Sequence, residues 1–454
     1  MKVMYIASIL MVTLLSNACK KFVTIDPPID QVVNPEPFTN DASATSTITG
    51  IYSEMMNNAG QFSTASTTFY AGMYADELYY YSPGVQDEFV AGDLSQVSHD
   101  VINSNFWQPM YKYIYAANLA LEQLRLSTML TAPVKQRLTG EALFIRVFCY
   151  HYLTNLFGDV PLVLGSAYTE NMSLPRTPQA AVLARMSQDI ATAIELLPDD
   201  YPEGDRTRPN KWSAKALQSR MALYAKDYTK AASVAGELIN NNLFVLEADC
   251  KNSFLKASKE AIWQLQPVRP SYNTTEGNLI LPASNATQPS YLVTSYLLNA
   301  FQVGDKRKDG WLNARVYNNR TLYYPYKYKI RMNQTVFEFY VVERLAEQYL
   351  IRAEANTRLG NIAEAIQDIN AIRTRAGLPP TTASDEQSLI SAIEQERRIE
   401  LCFEWGHRWF DLKRTRQTDV LAPIKTDWSA KDTLWPIPIR QINLNPALTQ
   451  NSGY

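Results

Sequence analysis

The sequence predicts a mostly α-helical fold, built as a tetratricopeptide-like scaffold of helical hairpins with an irregular, loop-rich insert. Over most of the chain, apolar residues recur at steps of three and four, which is the period of an α-helix that buries one face. Several helical segments come in pairs joined by very short links, and such links force antiparallel hairpins. The stretch 251–332 differs, because it lacks long helical periodicity and is rich in Asn, Ser, Thr and Pro.

The helical period is clearest in the segment 134–157. Gly158 and Pro161 follow it and are expected to end the helix. Asp41 and Ser43 are both credible N-caps for the first helix of the chain. In the segment 134–157 one apolar stripe is formed by Leu138, Ala142, Ile145, Cys149, Tyr152 and Leu156. The other predicted helices are 41–58, 105–126, 180–197, 213–225, 228–240, 343–359, 362–375 and 389–405.

Two predicted hairpins carry small residues where their helices would meet. The helices are linked by residues 226–227 in the first hairpin and by residues 360–361 in the second. Small side chains let two helix backbones approach closely, as in tetratricopeptide repeats. The alternative is a set of unrelated helical hairpins in one α-domain. The paired small residues are Ser219 with Ala231 and Ala353 with Ala365.

The first residues have the features of an export signal. Lys2 precedes an apolar run, residues 4–15, that is too short to span a bilayer, and small residues lead up to Cys19. We therefore predict a signal peptide over residues 1–18. The sequence LLSNA before Cys19 looks like a bacterial lipobox, in which the Cys becomes the acylated first residue of the mature protein. The alternative is ordinary cleavage, with Cys19 merely nearby.

The mature chain is expected to be lipid-anchored rather than membrane-spanning. Residues 19–39 are rich in proline and lack helical periodicity, which predicts an extended tether. No later stretch is apolar over the roughly 18 residues that a spanning helix needs. Residues 40–454 are predicted to form a single α-rich domain. Within it the helical scaffold would cover about 40–250 and 340–415, and the irregular insert about 251–340.

Composition argues against several classes of partner and cofactor. The chain has 43 basic and 45 acidic residues and a formal charge of -2, so nothing favours binding to a nucleic-acid backbone. Cys149, Cys250 and Cys402 show no CxxC spacing, and the three histidines are scattered. We therefore expect no disulfide, no metal and no cofactor. Motifs such as GxSxG, HExxH and a phosphate-binding loop do not occur.

Three phrases of the sequence resemble the signatures of a known family. Residues 395–414 read QERRIELCFEWGHRWFDLKR, residues 435–454 read WPIPIRQINLNPALTQNSGY, and residues 157–162 read FGDVPL. In these phrases the chain resembles the SusD/RagB family of outer-membrane, nutrient-binding lipoproteins. Two positions depart from the family pattern: Trp405 is an additional residue in the first phrase, and Gln441 stands where the family favours an acid.

The resemblance implies a function. It implies a protein that is held at the outer membrane by its lipid anchor, faces the cell exterior, binds glycans and delivers them to a SusC-like TonB-dependent transporter. It also implies that the protein is not an enzyme. Trp409 and Phe410 are expected to be buried. The charged residues of the first phrase are expected to pair along one helix or to bridge to a neighbouring one, namely Glu396, Arg397, Arg398, Glu400, Arg408 and Asp411.

Aromatic residues are concentrated in two segments, 69–81 and 311–328, that are expected to be loops or short strands. A sugar presents an apolar C–H face that stacks on Tyr or Trp, while its hydroxyls bond to amides and other polar side chains. At each position the alternative is an aromatic residue that packs between loop and scaffold. The candidate ligand-binding residues are Tyr79, Tyr80, Tyr81, Tyr272, Asn273, Trp311 and Tyr317.

Two other functions remain open. The first is a helical glycoside hydrolase, which needs two correctly spaced carboxylates; Asp76, Glu77, Asp87 and Glu88 lie in an aromatic-rich segment. The second is a structural lid subunit of the transporter, which would dock through its helical hairpins. Such a subunit would bind peptides or other nutrients, or would have no ligand site of its own.

Overall fold

α-Helices supply most of the N-terminal half of the chain. The computed structural model describes residues 36–94, 96–284 and 286–454. The backbone divides into the units Met1–Pro37 and Phe38–Tyr454, and the α-helices, π-helices and strands named below belong to the second unit. Two π-helices, Phe62–Ala71 and Asn103–Trp107, accompany the α-helices. The α-helices are α1 (Asp41–Asn57), α2 (Gly72–Tyr74), α3 (Gln86–Ala91), α4 (Gln96–Ile102), α5 (Gln108–Leu126), α6 (Ala132–Phe157), α7 (Tyr168–Asn171), α8 (Gln179–Leu196), α9 (Lys211–Tyr224) and α10 (Tyr228–Ile239).

The C-terminal half begins with short helices and returns to long ones. Its α-helices are α11 (Thr275–Ile280), α12 (Ser295–Leu298), α13 (Lys306–Trp311), α14 (Leu345–Arg358), α15 (Ile362–Arg375), α16 (Glu386–Glu400), α17 (His407–Arg414) and α18 (Ile439–Leu444). Short 3₁₀ helices occur at Pro202–Gly204, Cys250–Asn252, Thr418–Leu421 and Ala430–Thr433. The fold is therefore mostly α, as the sequence predicts.

The described strands form small antiparallel pairs rather than one sheet. β1 pairs with β3, β2 with β6, and β4 with β5. Only the β4–β5 pair joins neighbouring segments of the chain; the other two join segments that lie far apart in the sequence. The strands are β1 (Leu78–Tyr80), β2 (Ala261–Leu265), β3 (Tyr291–Val293), β4 (Leu312–Tyr317), β5 (Arg320–Pro325) and β6 (Tyr340–Arg344).

Local hydrogen bonds set the ends of the helices. α6 ends at Gly158, which adopts a φ of 73° that glycine tolerates best, as predicted. The cap of α1 is Asn40, however, and not Asp41 or Ser43. The Asn40 side-chain oxygen accepts the N–H of Ser43 at 2.9 Å. Asp41 instead accepts the N–H of Thr131 at 2.9 Å and so ties the start of α1 to the start of α6.

Two helical hairpins, α9–α10 and α14–α15, form the tetratricopeptide-like part of the scaffold. Arg220 on α9 pairs with Glu347 on α14 at 2.6 Å, and both side chains are buried. This ion pair joins the two hairpins although they are far apart in sequence. The predicted hairpin scaffold is confirmed. The small residues expected at the helix contacts are all fully buried, namely Ser219, Ala231, Ala353 and Ala365.

The last predicted scaffold helix ends earlier than its apolar pattern suggests. α16 stops at Glu400 and does not continue to residue 405. Phe403, Trp405 and Gly406 adopt φ values of 57°, 46° and 73°, which turn the chain sharply before α17. A Cβ atom at Gly406 would lie 2.7 Å from the Cβ of Ala71, so the turn packs directly against the first π-helix.

The core is rich in aromatic rings that surround the first π-helix. All ten residues of this π-helix are buried. The ring centroid of Phe62, at its start, lies 6.1 Å from that of Phe148 on α6. Trp409 and Phe410 of α17 are exposed by only 0% and 2%, which confirms their predicted burial. The α17 helix is therefore held against the centre of the domain by the hydrophobic effect.

A cluster of buried charges joins β6 to α13 and α16. Arg344 on β6 contacts Glu260, Glu400 and Glu404 at 2.6 to 2.7 Å, and Arg307 on α13 contacts Glu400 at 2.9 Å. Burial alone would raise the pKa of Glu400, but the surrounding arginines hold that pKa well below its usual range. The prediction that the charged signature residues bridge to neighbouring elements is thus confirmed.

The N-terminal predictions fall largely outside the described part of the chain. The signal peptide 1–18, Cys19 and the tether up to residue 35 lie outside the described residues. Glu36–Phe38 is a 3₁₀ turn that leads into α1. Within the described ranges, no helix is long and apolar enough to cross a membrane.

Candidate ligand-binding face

Two short strands, β1 and β3, form a ribbon that joins the end of the first aromatic segment to residues 291–293. Tyr79 lies opposite Leu292 and Tyr80 lies opposite Tyr291. The pairing extends one residue further, because the N–H of Tyr81 donates to the carbonyl of Ser290 at 3.1 Å. The ribbon thereby fixes the backbone of residues 78–80 in an extended conformation, in which successive side chains alternate between the two faces.

Four aromatic rings form a row of contacts from the core to the surface at this ribbon. They belong to Phe69, Tyr291, Tyr80 and Tyr81, and we call them the aromatic ladder. Phe69 in the first π-helix stacks on Tyr291 with centroids 3.9 Å apart and planes at 19°. Tyr291 lies 5.0 Å from Tyr80, and Tyr80 lies 5.4 Å from Tyr81. Exposure rises from 2% at Phe69 and 9% at Tyr291 to 44% at Tyr81. The outermost ring is thus accessible and is supported from behind.

The β4–β5 hairpin lies beside the ribbon, with β5 against β3. Its turn is Asn318-Asn319, and both residues adopt positive φ, as a two-residue turn that matches the strand twist requires. Tyr317 precedes the turn and is half-buried on the face shared with Leu322. Tyr323 is half-buried on the opposite face, where it lies across from the exposed Ala314. The hairpin therefore adds a second tyrosine-bearing edge to the ribbon.

Family models match both halves of the chain. Residues 302–454 match the model of the SusD family, and residues 21–223 match a model described as starch-binding associating with outer membrane. The first match contains the signature phrase and the β4–β5 hairpin, and the second contains β1 with the first π-helix. The chain belongs to the SusD/RagB family. The family description associates it with the outer membrane.

Individual relatives of this SusD-family chain agree with the assignment. It is 25% identical to SusD-like protein P25 of Formosa agariphila, in an alignment that covers 96% of this chain and 97% of the relative. A SusD superfamily protein from Bacteroides vulgatus has a TM-score of 0.78 at 20% identity. The structural match covers 92% of this chain and 100% of that protein's chain. A laminarin-binding SusD-like protein has a TM-score of 0.76 at 24% identity, in a match that also covers 92% of this chain and 100% of the other chain. The fold is therefore shared.

The structure brings some of the predicted ligand residues of the SusD-family chain together. Tyr80 and Tyr81 belong to the aromatic ladder, Tyr79 is half-buried on the same strand, and Tyr317 is on the neighbouring hairpin. Sequence reasoning missed Tyr291, which is the buried support of the ladder. The run YLV at 291–293 has the β-branched and aromatic character of a strand, but its pairing with β1 has no local signal.

Trp311 does not belong to this face. It has no exposed surface, and its indole N–H donates to the carbonyl of Cys250 at 2.9 Å. The ammonium group of Lys327 lies 4.0 Å from the ring centroid. Its polar atom is therefore bonded to Cys250 and its π-face is covered by Lys327, and the prediction that Trp311 stacks on a ligand is corrected.

Asn273 and Tyr272 lie on a separate loop. Asn273 is fully buried, and its side-chain oxygen accepts the N–H groups of Phe337 at 2.7 Å and Glu338 at 3.0 Å. The amide thus joins two loops, and the prediction that it contacts a ligand is corrected. Tyr272 is half-buried with the guanidinium of Arg269 at 4.5 Å from its ring centroid, so its ring contact is made away from the aromatic ladder.

Asp76, next to β1, is paired with two arginines of the SusD-family signature. Arg398 contacts its carboxylate at 2.5 Å and Arg408 at 3.0 Å. The Asp76 side chain is only 6% exposed. These contacts tie the ribbon to α16 and α17, and they commit the carboxylate to structural ion pairs.

The other acids near β1 are also engaged or buried. Burial, together with the charge of Asp76, raises the pKa of Glu77 to about 8, so its carboxyl is protonated at neutral pH. Asp87 and Glu88 accept backbone N–H groups at 3.0 and 3.1 Å. Among the described residues, no group of His, Cys, Asp and Glu side chains could hold a metal ion.

Proposed function

We propose that the protein is an outer-membrane lipoprotein that binds glycans at the aromatic ladder and delivers them to a SusC-like TonB-dependent transporter. The observation that carries the proposal is the ladder itself. Its exposed outer ring, Tyr81, lies 5.4 Å from Tyr80, and Tyr80 in turn lies 5.0 Å from Tyr291. A flat, rigid and partly exposed tyrosine suits the apolar face of a sugar ring, and its hydroxyl suits the sugar's hydroxyl groups.

The comparisons support a glucan as the first ligand class to test. The family model over residues 21–223 is described as starch-binding, and the laminarin-binding SusD-like protein has the same fold. Both starch and laminarin are neutral glucans. The ladder region has tyrosines as its exposed groups and keeps the charge of Asp76 paired behind the strand, which favours a neutral ligand.

The proposal is binding without catalysis. Glycoside hydrolysis uses two carboxyl groups that flank the scissile bond. In this chain Asp76 is paired with two arginines, and Glu77 is buried. The intact ligand would pass to the transporter, with the protein attached to the membrane through acylated Cys19 and facing the cell exterior.

Calorimetric titration of residues 20–454 with laminarin and with starch-derived glucans tests the proposal. Tyr81→Ala is expected to weaken glucan binding by about 1–3 kcal/mol, because it removes the accessible stacking surface. Phe337→Ala is the matched control, since Phe337 is exposed by 46% and lies outside the ladder.

Three results would argue against the proposal. Equal affinity in the Tyr81→Ala variant and the unmodified chain would remove the ladder from the binding site. Release of reducing sugar by the purified chain would favour a hydrolase. Transporter binding without any ligand binding would favour a structural lid subunit.

A further inference from the structure

A cavity lies between the end of α1, the start of α5, α7 and α18, and we call it the α5 cleft. Its volume is about 680 Å³. This falls within the roughly 300–1,000 Å³ that small-molecule sites occupy. None of the residues that line it belongs to the aromatic ladder or to the β4–β5 hairpin. It is therefore a separate site that the proposed function does not use.

Aromatic rings line the α5 cleft. Trp107 lies 5.0 Å from Tyr111, and the Tyr111 hydroxyl donates to the carbonyl of Pro161 at 2.9 Å, so both rings are held in place. Tyr115, one turn further along α5, is exposed by 37%, and Tyr168 on α7 is exposed by 70%. The cleft thus combines fixed inner rings with accessible outer ones.

The indole N–H of Trp107 supplies a hydrogen-bond donor to the cleft. Trp107 is only 4% exposed, it lines the cleft, and its nitrogen makes no hydrogen bond to any described residue. Its ring is fixed on the other side by Phe157, with centroids 5.1 Å apart. The nitrogen is not fully enclosed by protein, and because Trp107 lines the cleft, its N–H group can donate to a ligand oxygen there.

The walls of the cleft are fixed by side-chain amides. Asn171 donates to the carbonyl of Gly165 at 2.9 Å, and Gln441 donates to the side chain of Asn103 at 2.8 Å. Each of these two amides uses its N–H group and leaves its carbonyl oxygen without a partner among the described residues. The cleft therefore offers preformed acceptors as well as the Trp107 donor, and little ordering is needed when a ligand binds.

The charges at the rim of the cleft compensate each other. Lys112 on α5 and Glu54 on α1 form an ion pair at 2.5 Å, with side-chain exposures of 62% and 48%. A charged ligand would have to compete with this pair. Aromatic faces, neutral hydrogen-bonding groups and balanced charge together match a neutral, polyhydroxylated ligand.

We propose that the α5 cleft, with Trp107, Tyr115 and Tyr168, is a second carbohydrate site that binds a short neutral oligosaccharide. The proposal rests on the proposed function, since it takes glycans to be the ligands of the protein. Two sites on one chain would raise the affinity for a polysaccharide that reaches both, because the second contact becomes intramolecular.

Calorimetry with trisaccharides separates the two sites. The probes are the β-1,3-, β-1,4- and α-1,4-linked glucotrioses and β-1,4-mannotriose, titrated into residues 20–454. Tyr168→Ala removes an exposed stacking ring, and Trp107→Phe removes the N–H group but keeps an aromatic ring. Leu126→Ala, at the end of α5, is the control, because Leu126 is exposed by 62% and lies outside the cleft. Tyr81→Ala reports on the ladder.

The expected result is two molecules of a trisaccharide per chain. Tyr168→Ala and Trp107→Phe should each weaken one site about tenfold, Tyr81→Ala should weaken the other, and Leu126→Ala should change neither. Loss of trisaccharide binding in the cleft variants alone would support a binding site in the α5 cleft and would show that the ladder does not bind the trisaccharide. A single site that responds only to Tyr81→Ala would overturn the cleft and leave the proposed function intact. Absence of trisaccharide binding in the unmodified chain would overturn the cleft, whereas the proposed function fails only if laminarin and starch-derived glucans also do not bind.

Discussion

Individual aromatic side chains in this protein differ in how much of their surface is exposed to solvent. Tyr81 keeps 44% of its surface exposed, whereas Trp311 keeps none. Both lie in segments with similar composition, so the sequence alone does not separate them. The difference comes from the hydrogen bond of Trp311 to Cys250 and from Lys327 over its ring. We therefore expect Tyr81 to act in binding and Trp311 to act in stability.

A buried glutamate gives the protein a predictable pH dependence. Glu276 on α11 accepts the hydroxyl of Tyr340 at 2.8 Å, and burial raises its pKa from 4.5 to about 8. The folded protein thus keeps a proton that the unfolded chain loses near pH 4.5. The stabilising contribution of Glu276 is fully present below that pH and is lost as the pH rises through about 8.

Glu276→Gln, which cannot ionise, is predicted to remove this loss. Between pH 5 and 9 the free energy of unfolding should fall in both proteins. The fall should be smaller in Glu276→Gln than in the unmodified chain, by about 3–5 kcal/mol. Urea unfolding across this pH range measures the difference. Glu364→Gln is the control, because Glu364 on α15 is exposed and should follow the unmodified chain. An unchanged pH slope in Glu276→Gln would contradict the prediction.

At the scale of elements, the buried charge cluster connects β6 to the signature helix α16. Arg344→Ala is predicted to lower the free energy of unfolding by about 3–5 kcal/mol, because it removes the main partner of the buried Glu404 carboxylate and one of the arginines that surround Glu400. Arg358→Ala should cost less than about 1 kcal/mol, since its pair with Glu386 is exposed. Urea unfolding compares the two, and similar losses would refute a stabilising role for the cluster.

The helices were predictable because their signal is local. The apolar stripe of 134–157 gives α6, which spans Ala132–Phe157, and the short links give the hairpins. The early end of α16 was not predictable, because it depends on the approach of Gly406 to Ala71, a contact between residues far apart in sequence. Local periodicity continues through this turn and carries no information about it.

The β1–β3 ribbon was also beyond sequence reasoning. Each strand has three residues, which is too short for an alternating pattern to stand out. The two strands are separated by most of the scaffold, so their pairing follows from the packed helices around them. The candidate site could therefore be predicted as a set of tyrosines, but not as a ladder with Tyr291 and Phe69 behind it.

At the scale of the whole molecule, the scaffold holds the binding face rigid. The ladder starts at Phe69 in the buried π-helix, and Asp76 beside β1 is paired with Arg398 and Arg408 of the signature segment. Arg398 and Arg408 thus fix the position of the ribbon through Asp76. A preformed face loses little conformational entropy when it binds a sugar.

The membrane anchor is predicted to depend on one residue. Cys19→Ala, expressed in the native host, should move the protein from the membrane pellet to the soluble fraction, because no acyl chain can then be attached. Lys20→Ala is the matched control and should stay in the pellet. Fractionation followed by immunoblotting measures the distribution, and a Cys19→Ala protein that remains in the pellet would contradict the lipid anchor.

A crystal structure of residues 20–454 grown with a laminarin oligosaccharide tests the central claim most directly. The predicted result is an intact oligosaccharide with one sugar ring lying face to face on Tyr81, at the exposed end of the aromatic ladder. A ladder that stays empty at saturating oligosaccharide, or a cleaved fragment in place of the intact ligand, would contradict the claim.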